Sequence, residues 1–228
     1  LSEKYKGDVL AKKQAVAYYA LFQACLCKRP FNLFHRKNLS LRTARGIKRS
    51  FGNKITWNKD FDELMKRFNN EVSDKVFSNG LRHAALSGDI LDIDATAFDL
   101  VYLDPPYAMA DEKMPKDYHE LYHFLDGILN YDNWAENINS SSINKRLIKQ
   151  KNHWNEGNIE SNFDALFKKF KDSIIVVSYG EPGYPSINKI KKLLLKYKSK
   201  VRIARKEYKY KLNHKNGHGL YEVLLIGT

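Results

Sequence analysis

The stretch that decides the fold is Phe98-Asp99-Leu100-Val101-Tyr102-Leu103-Asp104-Pro105-Pro106-Tyr107. A run of strand-type apolar residues ends abruptly at an acid, two prolines and an aromatic ring. Prolines donate nothing to a sheet ladder and fix φ, so the run predicts a buried strand followed by a rigid loop. That loop presents Asp104, the proline carbonyls and Tyr107 at the strand's C-terminal edge, where open α/β sheets bind ligands.

The segments around it predict the rest of an α/β fold. Ser173-Ile174-Ile175-Val176-Val177-Ser178-Tyr179 reads as a second buried strand, broken by Gly180, Pro182 and Gly183. A helix from about 163 to 170 precedes it, and another opens at Pro185-Ser186 and ends near Lys198. Val201–Tyr210 and Tyr221–Ile226 read as two further strands, with Asn216-Gly217 a hairpin signal between them. The fold class predicted is α/β, with a mixed, mostly parallel sheet flanked by helices and a C-terminal β-hairpin.

Upstream, Ala84-Ala85-Leu86-Ser87-Gly88-Asp89 reads as a strand end, which would set Asp89 along the same edge as Asp104. Residues 8–28 predict a helix with Asp8 as its N-cap and Pro30 as its stop. A second helix is predicted over 61–77, with Phe61, Leu64, Met65 and Phe68 as its core stripe. Between these helices, Lys28, Arg29, Asn32, His35, Arg36, Asn38, Arg42, Arg45, Lys48 and Arg49 mix cations, amides and aromatic neighbours. Guanidinium and ammonium groups neutralise phosphates while Asn and Arg read base edges, so this is the candidate nucleic-acid-binding segment. The other reading is a solvated basic loop anchored by Phe31, Leu33 and Phe34.

The chain has 228 residues, with 39 Lys and Arg against 26 Asp and Glu, for a net charge of +13. That surplus suits a polyanionic partner, and the aromatic content favours nucleic acid. Cys25 and Cys27 lie two apart in a helix and point to different faces, so they read as small buried hydrophobes in a reducing, cytoplasmic setting. No membrane span or signal peptide is legible. Tyr118, Leu121, Tyr122 and Leu125 share a helix face and read as packing. His119 and His123 are spaced for a shared metal but lack a third ligand, so no metal is predicted. The organisation expected is a helical and basic segment over 1–80 and a catalytic core over 81–228, with a polar surface excursion at about 108–162.

Asp104-Pro105-Pro106-Tyr107 after an apolar strand resembles the signature of the amino-group DNA methyltransferases, and its Asp form resembles the N6-adenine branch related to Dam. Phe31-Asn32-Leu33-Phe34-His35-Arg36-Lys37-Asn38 is similar to that family's Phe-Asn-Gly-Leu-Tyr-Arg-x-Asn segment. Gly88-Asp89 is similar to its strand-end acid, and Ser178-Tyr179 to the strand after its catalytic loop. The resemblance implies a Rossmann-like methyltransferase fold and S-adenosyl-L-methionine as cofactor. It also implies transfer to the adenine N6 amino group of duplex DNA with base flipping, in a restriction-modification or genome-marking role. Asp104, Pro105, Pro106 and Tyr107 would be catalytic, and Asp89, Ile90 and Asp104 would hold the cofactor.

The family's Phe-x-Gly-x-Gly cofactor loop has no counterpart here. The chain's Gly-x-Gly, Gly217-His218-Gly219, lies in the hairpin region, and the first residue is Leu1. The fold is therefore expected to be incomplete at its N-terminus, with the cofactor loop on a missing segment or a second chain. Two other readings stay open: a ribosomal RNA guanine-N2 methyltransferase, and a non-catalytic DNA-binding fragment lacking the cofactor lobe.

Overall fold

The computed structural model describes residues 4–28, 58–95, 98–108, 118–141, 148, 158–207 and 220–228. They belong to two compact units, one formed by 1–84 with 119–148 and the other by 85–118 with 149–228. The polar insertion expected on the surface of the catalytic core thus groups with the N-terminal unit over most of its length.

In the N-terminal unit, helix α1 (Gly7–Cys27) packs against α2 (Phe61–Ser73). Ala20 and Ala24 present a flat strip that Leu64 and Phe68 cover, with Tyr19, Cys27 and Met65 at its margin. Small residues on one helix and bulky ones on the other allow this close approach. Asp8 lies inside the first turn rather than at the cap, where it still favours the helix dipole; Lys6 takes the N-cap position. α2 stops at Ser73, short of Phe77, because Lys75 and Val76 bond back to Val72 and Ser73 in a tightened last turn. Phe61 is exposed, so the core stripe reduces to Leu64, Met65 and Phe68. Cys25 and Cys27 are half-buried free thiols, and burial pushes the Cys25 thiol up. Helix α3 (Tyr118–Leu129) is followed by a 3₁₀ helix at Tyr131–Asn137, whose Trp134 ring lies directly on the backbone of Gly127. The side chains of His119 and His123 fall outside the described residues.

The second unit is an α/β layer. Its sheet has four strands, β1 (Leu100–Leu103), β2 (Ile174–Glu181), β3 (Val201–Glu207) and β4 (Tyr221–Gly227), in the order β1-β2-β4-β3. β1 runs parallel to β2, Leu103 opposite Val177, while β4 runs antiparallel to both β2 and β3. The sheet is mixed as expected, but among the described residues antiparallel pairings outnumber the single parallel one. The predicted turn at Asn216-Gly217 lies outside the described residues.

Helices α4 (Ile159–Lys169) and α5 (Ile187–Leu194) cover one face. α4 starts four residues earlier than predicted because Asn158 caps it, accepting from Glu160 N at 2.9 Å. Ser186 caps α5 as its sequence suggests, through Lys189 N. Val101, Leu103, Ile175, Val177, Tyr179, Val223 and Leu225 point into this core beside Phe163, Phe167, Ile190 and Leu194. The alternate residues of the same strands face the other way, and there Leu100, Tyr102, Ile174 and Leu224 are 53, 56, 42 and 36% exposed. Lys198 is buried; it donates to the carbonyls of Lys171 and Ser173, and burial pulls its ammonium down.

Among the described residues, no helix is long and apolar enough to cross a membrane. Ala84–Ser87 form no strand. Leu86 is 79% exposed, and a segment rich in alanine has neither the side chains nor a pairing partner to hold an extended conformation.

Candidate functional site

The loop after β1 is pinned at both ends. On one side Leu103 is buried in the core. On the other, the fully buried Ala108 accepts from Tyr184 N at 2.9 Å and forms an isolated antiparallel bridge with it. The segment carrying Tyr184 turns through cis Glu181–Pro182 and Tyr184–Pro185 bonds, and the Tyr179 hydroxyl donates to the Tyr184 carbonyl. Between these anchors Pro105 and Pro106 are half-buried and Asp104 is exposed. The two prolines thus stand in a loop held at both ends.

Tyr107 turns back over the sheet. Its hydroxyl lies 3.1 Å from Asp104 Oδ1, 3.2 Å from Ser178 Oγ and 3.3 Å from Glu222 Oε2. A phenol has one proton, so these oxygens compete for it, while the Ser178 hydroxyl can donate in return. Partial burial, with the Glu222 and Asp104 carboxylates adding to it, pushes the Tyr107 phenol up to about 12. The ring packs edge-on to Tyr179, centroids 5.3 Å apart, and over Gly180, where a Cβ would stand 3.3 Å from Tyr107 Cδ2.

That contact accounts for a departure from the sequence reading. Gly180 does not break β2; the strand continues through it to Glu181, with Gly180 opposite Glu222 on β4. The glycine makes room for a ring rather than for a turn. Sequence reasoning also passed over Glu222. The signal for it was a lone acid within the apolar strand Tyr221–Ile226, a costly choice unless the carboxylate has a partner.

Other expected site residues are placed elsewhere. Asp89 is half-buried and accepts from Leu91 N at 2.9 Å, opening a 3₁₀ turn over Ile90–Asp92. That turn packs on α4, and the Leu91 carbonyl accepts from Lys169 at the helix's C-terminal end, just before β2 begins. The turn that carries Asp89 and Ile90 is thus tied to the C-terminal end of α4, while Asp104 lies just past the end of β1. Of the candidate DNA-binding residues, Lys28 closes α1 and donates to the Lys59 carbonyl. Arg29, Asn32, His35, Arg36, Asn38, Arg42, Arg45, Lys48 and Arg49 lie outside the described residues.

An open cleft of about 620 Å³ lies at the beginning of β1 and β2, lined by Phe98, Asp99, Lys169 and Asp172 among others, away from Asp104. Among the described residues no group of three His, Cys, Asp or Glu side chains is placed to hold a metal ion. No protein-family model, curated protein or solved structure matches the chain.

Proposed function

We propose that the chain carries the amino-group clamp of an S-adenosyl-L-methionine-dependent methyltransferase acting on adenine N6 in duplex DNA. One observation carries the reading: an exposed carboxylate, Asp104, stands on a doubly anchored Pro-Pro loop at the C-terminal end of a parallel strand. The exocyclic nitrogen of adenine is a poor nucleophile because its lone pair is delocalised into the ring. Acceptors aimed at its hydrogens favour the pyramidal, positively charging nitrogen of the transition state. The Asp104 carboxylate and the Pro105 carbonyl are the acceptors in this proposal, and Tyr107 walls the side of the site toward β2. The base must leave the duplex stack to reach them, and the net charge of +13 supplies the attraction to its phosphates.

S-adenosyl-L-methionine supplies an electrophilic methyl on a sulfonium. The glycine loop that would hold it comes, in this proposal, from a further segment or a second chain. The test is expression from the gene in its natural coding context, in a host without adenine methylation, beside an Asp104→Ala variant. Mass spectrometry of host DNA is expected to find N6-methyladenine with the natural protein and none with the variant. DNA free of N6-methyladenine, or an equal amount with Asp104→Ala, would refute the reading.

A further inference from the structure

The proposed clamp asks Asp104 to do two things. In the structure its Oδ1 accepts from the Tyr107 hydroxyl at 3.1 Å, and in the reaction the same carboxylate must receive the hydrogens of a substrate amino group. Asp104 has lone pairs for both, but each hydrogen bond it accepts from the phenol draws on the charge it offers the amino group. A second carboxylate can relieve it of the phenol. Glu222 Oε2 lies 3.3 Å from the same hydroxyl, on a different strand, and Ser178 Oγ lies 3.2 Å away on β2 between them.

We propose that Glu222 is a positioning residue, taking the Tyr107 hydroxyl hydrogen bond when a substrate amino group occupies Asp104 and so keeping the ring fixed through the reaction. The inference rests on the methyl-transfer reading for its substrate, but the tether itself is a property of the chain alone. The placement of Glu222 supports it. Glu222 faces the side of the sheet that carries Leu224 and Ile226, opposite Gly180 on β2 and Lys206 on β3. The absent side chain at Gly180 opens the path by which Tyr107 reaches it. The ionisable groups facing the phenol are Asp104 and Glu222, with Lys206 across the ladder from Glu222. Exchange of one hydrogen bond between two carboxylates moves no heavy atom far, so the ring keeps its packing against Tyr179 and Gly180 while Asp104 is released.

Two variants test this. Glu222→Leu removes the acceptor, whereas Glu222→Gln keeps an oxygen in place and removes the charge. The first readout needs no substrate. With ¹³C-labelled tyrosine, the Tyr107 resonance, assigned by its loss in Tyr107→Phe, is titrated by NMR. Both variants are expected to lower its midpoint toward that of an ordinary tyrosine, and an unchanged midpoint in both overturns the tether. The second readout is methyl transfer to duplex DNA by the complete enzyme. Glu222→Leu is expected to lower kcat about tenfold, with KM for DNA held within about twofold, and Glu222→Gln to restore kcat to within about threefold of the natural enzyme. Equal losses in the two variants, or none in Glu222→Leu, overturn the positioning role. Absence of transfer by the natural enzyme sinks the methyl-transfer reading and the role assigned to Glu222 in it. The titration still decides whether Glu222 holds Tyr107.

Discussion

Tyr107→Phe isolates one hydroxyl and leaves the ring's packing in place. The ring keeps its contacts with Tyr179 and Gly180, and what disappears is a proton shared among Asp104, Ser178 and Glu222 at 3.1, 3.2 and 3.3 Å. A rise of the phenol from the ordinary 10.0 to about 12 would correspond to about 2.7 kcal/mol at full burial. The hydroxyl is partly solvated and water replaces some of what is lost, so the contribution to stability reduces to about 1 kcal/mol. The pH dependence has a definite sign. The folded-state value lies above the unfolded one, so folding favours the protonated phenol. Its contribution is complete below pH 10 and is lost as pH rises from 10 through about 12. Urea unfolding of the natural protein and the variant should therefore give unfolding free energies separated by about 1 kcal/mol at pH 8, with the gap closing between pH 10 and about 12. Lysine and other tyrosine ionisations are common to both proteins and cancel in the difference. Equal stability at pH 8, or a gap that stays constant into the alkaline range, would refute the assigned hydrogen bonds.

Two further substitutions probe the frame that holds the loop. Gly183→Ala would place a Cβ 2.5 Å from the Gly180 carbonyl oxygen and 2.9 Å from Tyr179 Cε1, so backbone must move; a loss of about 2–3 kcal/mol in urea unfolding is expected, and a neutral effect would refute the close packing of this turn. Lys198→Met keeps the aliphatic stem but strips the Lys171 and Ser173 carbonyls of their donor, and should cost about 1–3 kcal/mol, measured by the same assay.

The parts of the fold legible in the sequence are those where a local rule and the tertiary environment agree. The apolar run Leu100–Leu103 and the run from Ile174 are strands, and Ser186 caps α5, because each reading needs only the residues themselves. The mismatches occur where a residue serves a distant partner. Gly180 looks like a breaker until Tyr107, 73 positions earlier in the chain, is seen to lie on it. Asp89 looks like a strand-end acid because Gly-Asp follows an apolar stretch, yet Ala84–Leu86 lack the β-branched and aromatic bulk that would hold them in a sheet. The balance of parallel and antiparallel pairs follows from β4 entering between β2 and β3, an insertion that no spacing in the sequence encodes.

The same contrast explains why the candidate site is only half visible from sequence. Asp104, Pro105 and Pro106 are contiguous, and their chemistry follows from order alone: an acceptor, then a rigid backbone. The groups that restrain Tyr107 come from β2 and β4, so the loop's geometry depends on the C-terminal strands being in register. A slip of β4 by one residue would turn Glu222 to the covered face and put Val223 against the phenol. The buried alternation of Val223, Leu225 and Gly227 against α5 and the core works against such a slip. Packing on the helical face of the sheet thus sets the position of a carboxylate on the opposite face, and through the Tyr107 hydroxyl it reaches Asp104.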